Sequence, residues 1–208
     1  MQNLHHLNHP VINDLVSRLR DTDQDASSFQ SVIANLTTFL VYEALRESTT
    51  DSKKINTWQG QNSFDFISQE KLVFVPILRA GMPMLTQLNN FFPNAVSGFI
   101  AMKRDEKTQE PNMLYDRVPN IEGKTLFLLD PMVATGGSIN DALHFMKEKN
   151  PQKIICLNLV GYKDTVEKLA QTHKDIQFFI AQIDPILNED GFIIPGIGDA
   201  GDRAYNTL

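Results

Sequence analysis

Five apolar runs, at 72–77, 96–102, 125–129, 154–160 and 177–183, carry too little polar alternation for a half-exposed sheet and read as strands covered on both faces. Between them the apolar positions recur at helical spacing near 82–90, 137–149 and 164–172. Asp164 with Glu167 three residues later gives the last of these a capping-box-like start. Ahead of the first strand, residues 28–48 align Phe29, Val32, Ile33, Leu36, Phe39, Leu40 and Leu45 along one stripe of a long helix. Strands alternating with helices predict βαβ units, hence an α/β fold with a mainly parallel sheet flanked by helices.

Two stretches break that rhythm. Residues 54–68 alternate around Gln59-Gly60-Gln61-Asn62 and predict a β-hairpin arm outside the sheet, of the sort that serves subunit contacts. Residues 103–120 are polar, contain two prolines and join strands that need only a short link, so they read as filler or as a lid. Their place just before the strand at 125–129 favours the lid. There is no internal repeat.

The 208 residues, 42% hydrophobic, suffice for one buried core and are expected to form a single domain over 1–208. Net charge is −6 and no basic run exceeds two residues, which argues against a nucleic-acid partner. The one cysteine, Cys156, sits in the apolar stretch IICLNLV and reads as core filling in a reducing compartment. No apolar run approaches the ~18 residues of a membrane span, and MQNLHHLNHP lacks the basic and apolar regions of a signal peptide. A cytoplasmic protein without membrane contact is expected.

The chemistry concentrates at strand ends. The run TLFLL ends in Asp130, then opens into Pro131, Met132, Val133, Ala134, Thr135, Gly136, Gly137 and Ser138 before a helical pattern begins. Ligands of open α/β sheets bind at the carboxyl ends of strands. The glycines let successive N–H groups turn inward, Thr135 and Ser138 add hydroxyls, and the helix dipole presents its positive end, a pocket for phosphate. No Gly-Lys-Ser/Thr follows, so this is not the loop of nucleotide triphosphatases. Two glycines also make a plain tight turn; the carboxylate beside them, suited to a pair of sugar hydroxyls, shifts the balance. Arg79 and Gly81 follow the apolar run VFVPIL, placing a guanidinium and an unhindered backbone at a second strand end, where paired hydrogen bonds can grip a diphosphate.

The segment LFLLDPMVATGGS resembles the phosphoribosyl-diphosphate-binding signature of type I phosphoribosyltransferases, and its Asp-Pro-Met form is similar to that of the uracil phosphoribosyltransferase family. VPILRAGMPM at 75–84, MKRDEKT at 102–108 and GFIIPGIGDAGDRA at 191–204 agree with that family in order and spacing, so the likeness spans nearly the whole chain. It implies a phosphoribosyltransferase sheet with a hairpin arm and a C-terminal hood over the base. It implies transfer of phosphoribosyl from 5-phospho-α-D-ribose 1-diphosphate to uracil, with Mg²⁺ as cofactor and a homodimer or higher oligomer as assembly. By the same resemblance Arg79, Gly81 and Arg104 hold the diphosphate and Asp130 the ribose, residues 131–138 belong to the site for the activated sugar, and the donors of 134–138 fix the 5′-phosphate. Ile193 and the backbone of Gly198, Asp199 and Ala200 would read uracil, with the Asp199 carboxylate toward the diphosphate and its metal. Lys103, Phe192 and Asn206 depart from the usual tyrosine, tyrosine and glycine. Activation by guanosine triphosphate is left open by the sequence.

Other patterns fail on their own terms. Gly196-Ile197-Gly198-Asp199-Ala200-Gly201 fits the dinucleotide fingerprint, yet only seven residues follow and no βαβ unit can be completed. Asp21, Asp23 and Asp25 begin like a calcium loop, but Ala26 and Val32 replace its glycine and closing glutamate. His5, His6 and His9 fall on a terminus expected to be mobile, His144 and His173 have no catalytic partners in sequence, and Lys107 and Tyr115 read as solvated loop residues. Rival functions are a pyrimidine-responsive RNA-binding regulator, a silent scaffold, or transfer to another base. The acidic balance opposes the first and the four intact motifs the second.

Overall fold

A computed structural model describes residues 2–104 and 111–207; of residues 103, 104 and 111–113 it describes the backbone only. The elements in chain order are β1 Leu4–His6, α1 Pro10–Arg20, α2 Ala26–Ala44, β2 Thr50–Thr57, β3 Gly60–Ile67, β4 Leu72–Leu78, α3 Met82–Phe91, β5 Val96–Ser97, β6 Phe99–Arg104 and β7 Pro111–Arg117. There follow β8 Thr125–Leu129, β9 Met132–Val133, α4 Gly137–Lys147, β10 Lys153–Tyr162, α5 Lys163–Thr172, β11 Gln177–Asp184, β12 Ile186–Leu187, β13 Ile193–Ile194 and α6 Ala200–Tyr205.

The main sheet has the order β1-β11-β10-β8-β4-β6-β7, with β5 beside β4 and β9 beside β10. Every pairing is parallel except β6 with β7. After β4 the chain moves toward β6; after β8 it moves the other way, toward β10 and β11. The order therefore reverses between β4 and β8, and the ends of these two strands part around a crevice. Alternate residues explain the two covering layers. Phe74, Phe127, Leu129, Ile155 and Leu157 pack with α1, α2 and α3, whereas Val73, Val75, Leu126, Leu128 and Cys156 pack with α4 and α5.

The structure revises several sequence expectations. The amino terminus is ordered: β1 extends the sheet beside β11, and His9 caps α1 by accepting from the Val11 N–H at 3.2 Å. The long helix runs Ala26–Ala44, not 28–48, because Asp25 caps it through the Ser28 N–H at 2.7 Å and the last turn opens at Leu45. Asp21 and Asp25 thus serve turn and cap; Asp21 Oδ1 accepts from the Asp23 N–H. The hairpin turns at Trp58-Gln59, since Thr57 pairs with Gly60. The strand expected at 96–102 breaks at Gly98, whose N–H bonds the Phe74 carbonyl and where a Cβ would stand 2.9 Å from Pro119 Cδ. Within 103–120, residues 111–117 form β7, antiparallel to β6; residues 105–110, including Lys107, lie outside the described residues. Tyr162, not Asp164, stands at the start of α5, and Asp164 accepts from the Tyr162 hydroxyl at 2.7 Å. The C-terminal turn continues into α6, which Asp199 caps.

Candidate active site

Three of the four motifs converge at the carboxyl edge of β4 and β8. The registers Pro76 with Leu129 and Leu78 with Ala101 put the ends of β4, β6 and β8 side by side. Gly81 opens α3 against β8, where a Cβ would stand 2.5 Å from the Leu129 carbonyl oxygen. The β6–β7 hairpin rises past this edge. Arg104 lies three residues beyond the partner of Leu78, about 10 Å along the strand; its side chain is outside the description.

At the end of β8, Asp130 has its carbonyl held by Asn158 Nδ2 at 2.7 Å and its Oδ1 3.3 Å from the Met132 N–H. Burial pushes its carboxyl up to about 7, only partly offset by that N–H. Pro131 anchors the next turn, its carbonyl accepting from Leu159 and Val160, while Met132 and Val133 form β9. Gly136 takes φ +81°, and a Cβ there would lie 2.5 Å from Thr165 Cγ2, so both conformation and space demand glycine. Gly137 begins α4, whose first N–H groups have no acceptor within the helix. Thr135 and Ser138 are exposed, and among the described residues neither hydroxyl bonds to protein. Free N–H groups, two hydroxyls and a helix amino end make an anion cradle.

The hood closes the other side. β12 and β13 pair antiparallel, and the chain turns through Pro195–Gly198 into α6. A cavity of about 200 Å³ is lined by Met132 and Ala134 of the phosphate-side loop and by Asp190, Gly191, Phe192, Ile193, Ile197, Gly198 and Asp199 of the hood. Its mixed walls lie between the hood and the strand-end loop. Ile193 is buried, and Ala200 is fully buried as the first residue of α6. Asp199 uses Oδ1 to accept from the Asp202 N–H at 2.9 Å. Asp190, Gly191 and Ile197 were not singled out by sequence reasoning, and Phe192 was read only as a departure from pattern.

Arg79 bridges the two sides. Its guanidinium donates to Asp202 Oδ1 at 2.9 Å and to Thr207 Oγ1 at 3.2 Å, while remaining more than half exposed. The Thr207 hydroxyl and then Arg79 hold the Asp202 carboxyl below its usual range. Asn206 adopts φ +53°, the left-handed cap where glycine or asparagine is at home, which accounts for its place in the tail. Elsewhere, His144 and His173 meet edge to face at 5.2 Å, and His173 Nε2 lies 2.9 Å from Asn140 Oδ1. Burial, with Lys147 and His144 nearby, holds His173 below its usual value.

Comparison with solved structures agrees on the class. A hypoxanthine phosphoribosyltransferase from Staphylococcus aureus shares the fold with a TM-score of 0.53 over 86% of this chain and 83% of that one, at 15% identity. The architecture is that of type I phosphoribosyltransferases. The family model described as uracil phosphoribosyltransferase matches residues 6–207, and the chain belongs to that family. A uracil phosphoribosyltransferase from Aquifex aeolicus is 37% identical over 96% of both chains. The solved AQ2163 protein from the same organism has a TM-score of 0.91, covering 97% of each chain at 37% identity.

Proposed function

We propose that the chain transfers the phosphoribosyl group of 5-phospho-α-D-ribose 1-diphosphate to N1 of uracil, giving uridine monophosphate and diphosphate. The observation that carries this reading is the shared cavity: Met132 and Ala134 of the phosphate-side loop face Ile193, Gly198 and Asp199 of the hood across about 200 Å³. One pocket then seats a flat base beside a phosphorylated sugar.

In this reading the 5′-phosphate occupies the cradle of 134–138, with Thr135 and Ser138 hydroxyls and the first N–H groups of α4 as donors. Asp130 accepts from the ribose hydroxyls, and Arg79, the backbone at Gly81 and Arg104 receive the diphosphate. The C1′–oxygen bond to diphosphate breaks, the bond from uracil N1 forms, and the N1 proton passes to the departing diphosphate or to water. Positive charge develops on the sugar and negative charge on the leaving group, which the arginines stabilise. Ile193 packs on the ring while the backbone of Gly198, Asp199 and Ala200 reads its polar edge. Cytosine would oppose an amino donor to a donor, and each buried unpaired group costs roughly 1–3 kcal/mol.

Mg²⁺ fits this donor set. Among the described residues no three His, Cys, Asp or Glu side chains group into a metal site, whereas Asp199 lines the cavity and Asp130 follows β8, two residues before the lining Met132. That suits an ion carried on the diphosphate and completed by one or two carboxylates and water. When bound it neutralises diphosphate charge.

The same reading includes a homodimer or higher oligomer. The β2–β3 arm forms a sheet of its own and exposes Ile55, Phe64 and Phe66 on one face and Trp58, 91% exposed, at its tip. A two-stranded hairpin needs cover. An apolar groove of about 660 Å³ along α2, lined by Phe39, Tyr42, Phe91 and Phe92, offers it from a second copy. No described helix is long and apolar enough to cross a membrane, and the buried lone Cys156 suits the cytoplasm.

The deciding experiment incubates the protein with the activated sugar and Mg²⁺ and, in turn, uracil, cytosine, hypoxanthine or adenine, with chromatographic detection of nucleotide and diphosphate. Product with uracil alone is expected. Product with a purine, or none with uracil, would overturn the reading.

A further inference from the structure

The base-reading turn contributes backbone groups to its ligand, so its shape must be held from behind. Two arginines do this. Arg20, the last residue of α1, donates Nη1 to Asp184 Oδ2 and Nη2 to Asp184 Oδ1, both at 2.8 Å. The same Nη1 donates to the Gly196 carbonyl at 2.9 Å, and Asp184 Oδ2 in turn accepts from the Gly196 N–H at 3.0 Å. Gly196 is thereby fixed through both of its backbone polar groups. Asp184, at the end of β11, is 2% exposed and takes a further donor from Gln182 Nε2 at 3.1 Å. Burial pulls its carboxyl upward, but the Arg20 and Gly196 donors prevail and hold it below the usual value. Arg203 provides the second hold, donating to the carbonyls of Ile197 at 2.8 Å, Leu19 at 2.7 Å and Asp21, with its guanidinium 4.1 Å from the Phe29 ring centre.

Arg20 and Asp184 are absent from the cavity wall, which takes Ile197 and Gly198, the residues next along from Gly196. Their placement is economical only if the turn's geometry matters. A charge pair drawn largely out of water, here Asp184 at 2% and Arg20 at 23% exposure, is seldom a gain in stability over apolar packing of equal volume, so its use here points to positional control.

We propose that the Arg20–Asp184 pair is a positioning device for base recognition, setting the direction of the Ile197–Ala200 backbone so that the enzyme binds and discriminates its pyrimidine without either side chain touching it. The inference rests on the function proposed above. It ties α1 and β11, at opposite ends of the sequence from one another, to the specificity of the C-terminal turn. Because Arg203 grips the turn independently, loss of Arg20 relaxes it without releasing it.

The test is steady-state kinetics on Arg20→Met, Arg20→Lys and Asp184→Asn beside the unaltered protein, with thermal unfolding of each. The expected result is a rise of about tenfold or more in KM for uracil in Arg20→Met and Asp184→Asn. KM for the activated sugar should stay within about twofold, and the preference for uracil over cytosine should narrow. Arg20→Lys, which keeps the charge but loses the paired donors, should fall between. A merely structural pair would depress kcat and raise both KM values together, and that pattern in a folded variant would overturn the proposal, as would an unchanged uracil KM. Should Arg20→Met fail to fold, Arg20→Lys and Asp184→Asn carry the same comparison. If the unaltered protein makes no nucleotide from uracil, it is the function reading that fails.

Discussion

Between Thr125 and Lys147 the chain builds strand, anion loop and helix from one uninterrupted stretch, steadied from outside only by the adjoining strand β10 and by Thr165 of α5. The turn at 195–199 is built the opposite way: Leu19 and Arg20 of α1, Asp21 just after it, Asp184 of β11, and Arg203 of α6 hold it from distant parts of the chain. A phosphate asks only for donors in a ring, which a local turn into a helix provides. A flat base asks for donors and acceptors at fixed spacing, and a short turn keeps such spacing only when braced on several sides. Arg79 stands at the joint, rooted at the end of β4 and ion-paired to α6.

That joint gives the largest expected effect. Arg79→Ala removes the guanidinium assigned to the leaving diphosphate and frees Asp202 and Thr207, so kcat should fall about 100- to 1000-fold, measured as diphosphate release. KM for uracil should rise less, because Arg20 and Arg203 still brace the turn. Normal turnover in this variant would break the assignment of the diphosphate to the β4 end.

Gly136→Ala probes the local side alone. The added methyl meets Thr165 and a φ of +81°, so stability should drop by about 1–2 kcal/mol and KM for the activated sugar should rise at least tenfold. KM for uracil should hold within about twofold. Equal losses for both substrates would mean that loop and turn are one mechanical unit, contrary to the separation drawn here.

The same contrast decides what could be read from the sequence. The strand-end positions of the TGGS and Arg79 loops and the mainly parallel character of the sheet were legible because apolar period, turn glycines and helix start lie within a few residues of one another; the order of the strands was not. Nor was the bracing of the hood. Yet Ile12, Leu15, Val16 and Leu19 carry a helical period that marks α1, and they are buried. Asp184 ends the mainly apolar run FFIAQI much as Asp130 ends TLFLL, a signal that went unread. Neither residue names its partner, because a bidentate pair bridging 164 positions has no local pattern. The β7 strand was read as loop since its pairing with β6 leaves Leu114–Arg117 exposed, without the apolar face that marks a strand.

Asp130 couples the local side to pH. Its folded value near 7 exceeds the ordinary carboxylate value, so the folded protein retains a proton that the unfolded chain releases. Stability from this group is complete below about pH 4 and is lost as pH rises through 7. Asp130→Asn should therefore raise the melting temperature at pH 8. The gain is about 2 kcal/mol, half the full linkage value because the residue is partly exposed, or roughly 4–8 °C for a chain of this size. At pH 4 no gain is expected. Ribose hydroxyls need the ionised acceptor, so KM for the activated sugar in the unaltered protein should rise as pH falls through 7, and the variant should lose that dependence while binding the sugar about tenfold more weakly. A variant whose gain over the unaltered protein is no larger at pH 8 than at pH 4 would show that the strand-end carboxylate is not held out of water.

The smallest effect belongs to the tail. Asn206 sits at φ +53° and its N–H bonds the Asp202 carbonyl, so the conformation, not the side chain, closes α6. Glycine removes the mild steric cost of that conformation but adds freedom to the unfolded chain, and the two oppose each other. Asn206→Gly should change stability by less than about 0.5 kcal/mol, under ~2 °C in melting temperature, with both KM values unchanged within twofold. Asn206→Val tests the same point from the other side. A β-branched residue resists the left-handed region by about 1–2 kcal/mol, which should fray the last turn and draw Thr207 away from Asp202 and Arg79. KM for the activated sugar should then rise while that for uracil stays, since the brace at Gly196 lies upstream of the fray. Were valine as silent as glycine, the tail would have no part in holding Arg79, and the link between the two halves of the cleft would rest on Asp202 alone.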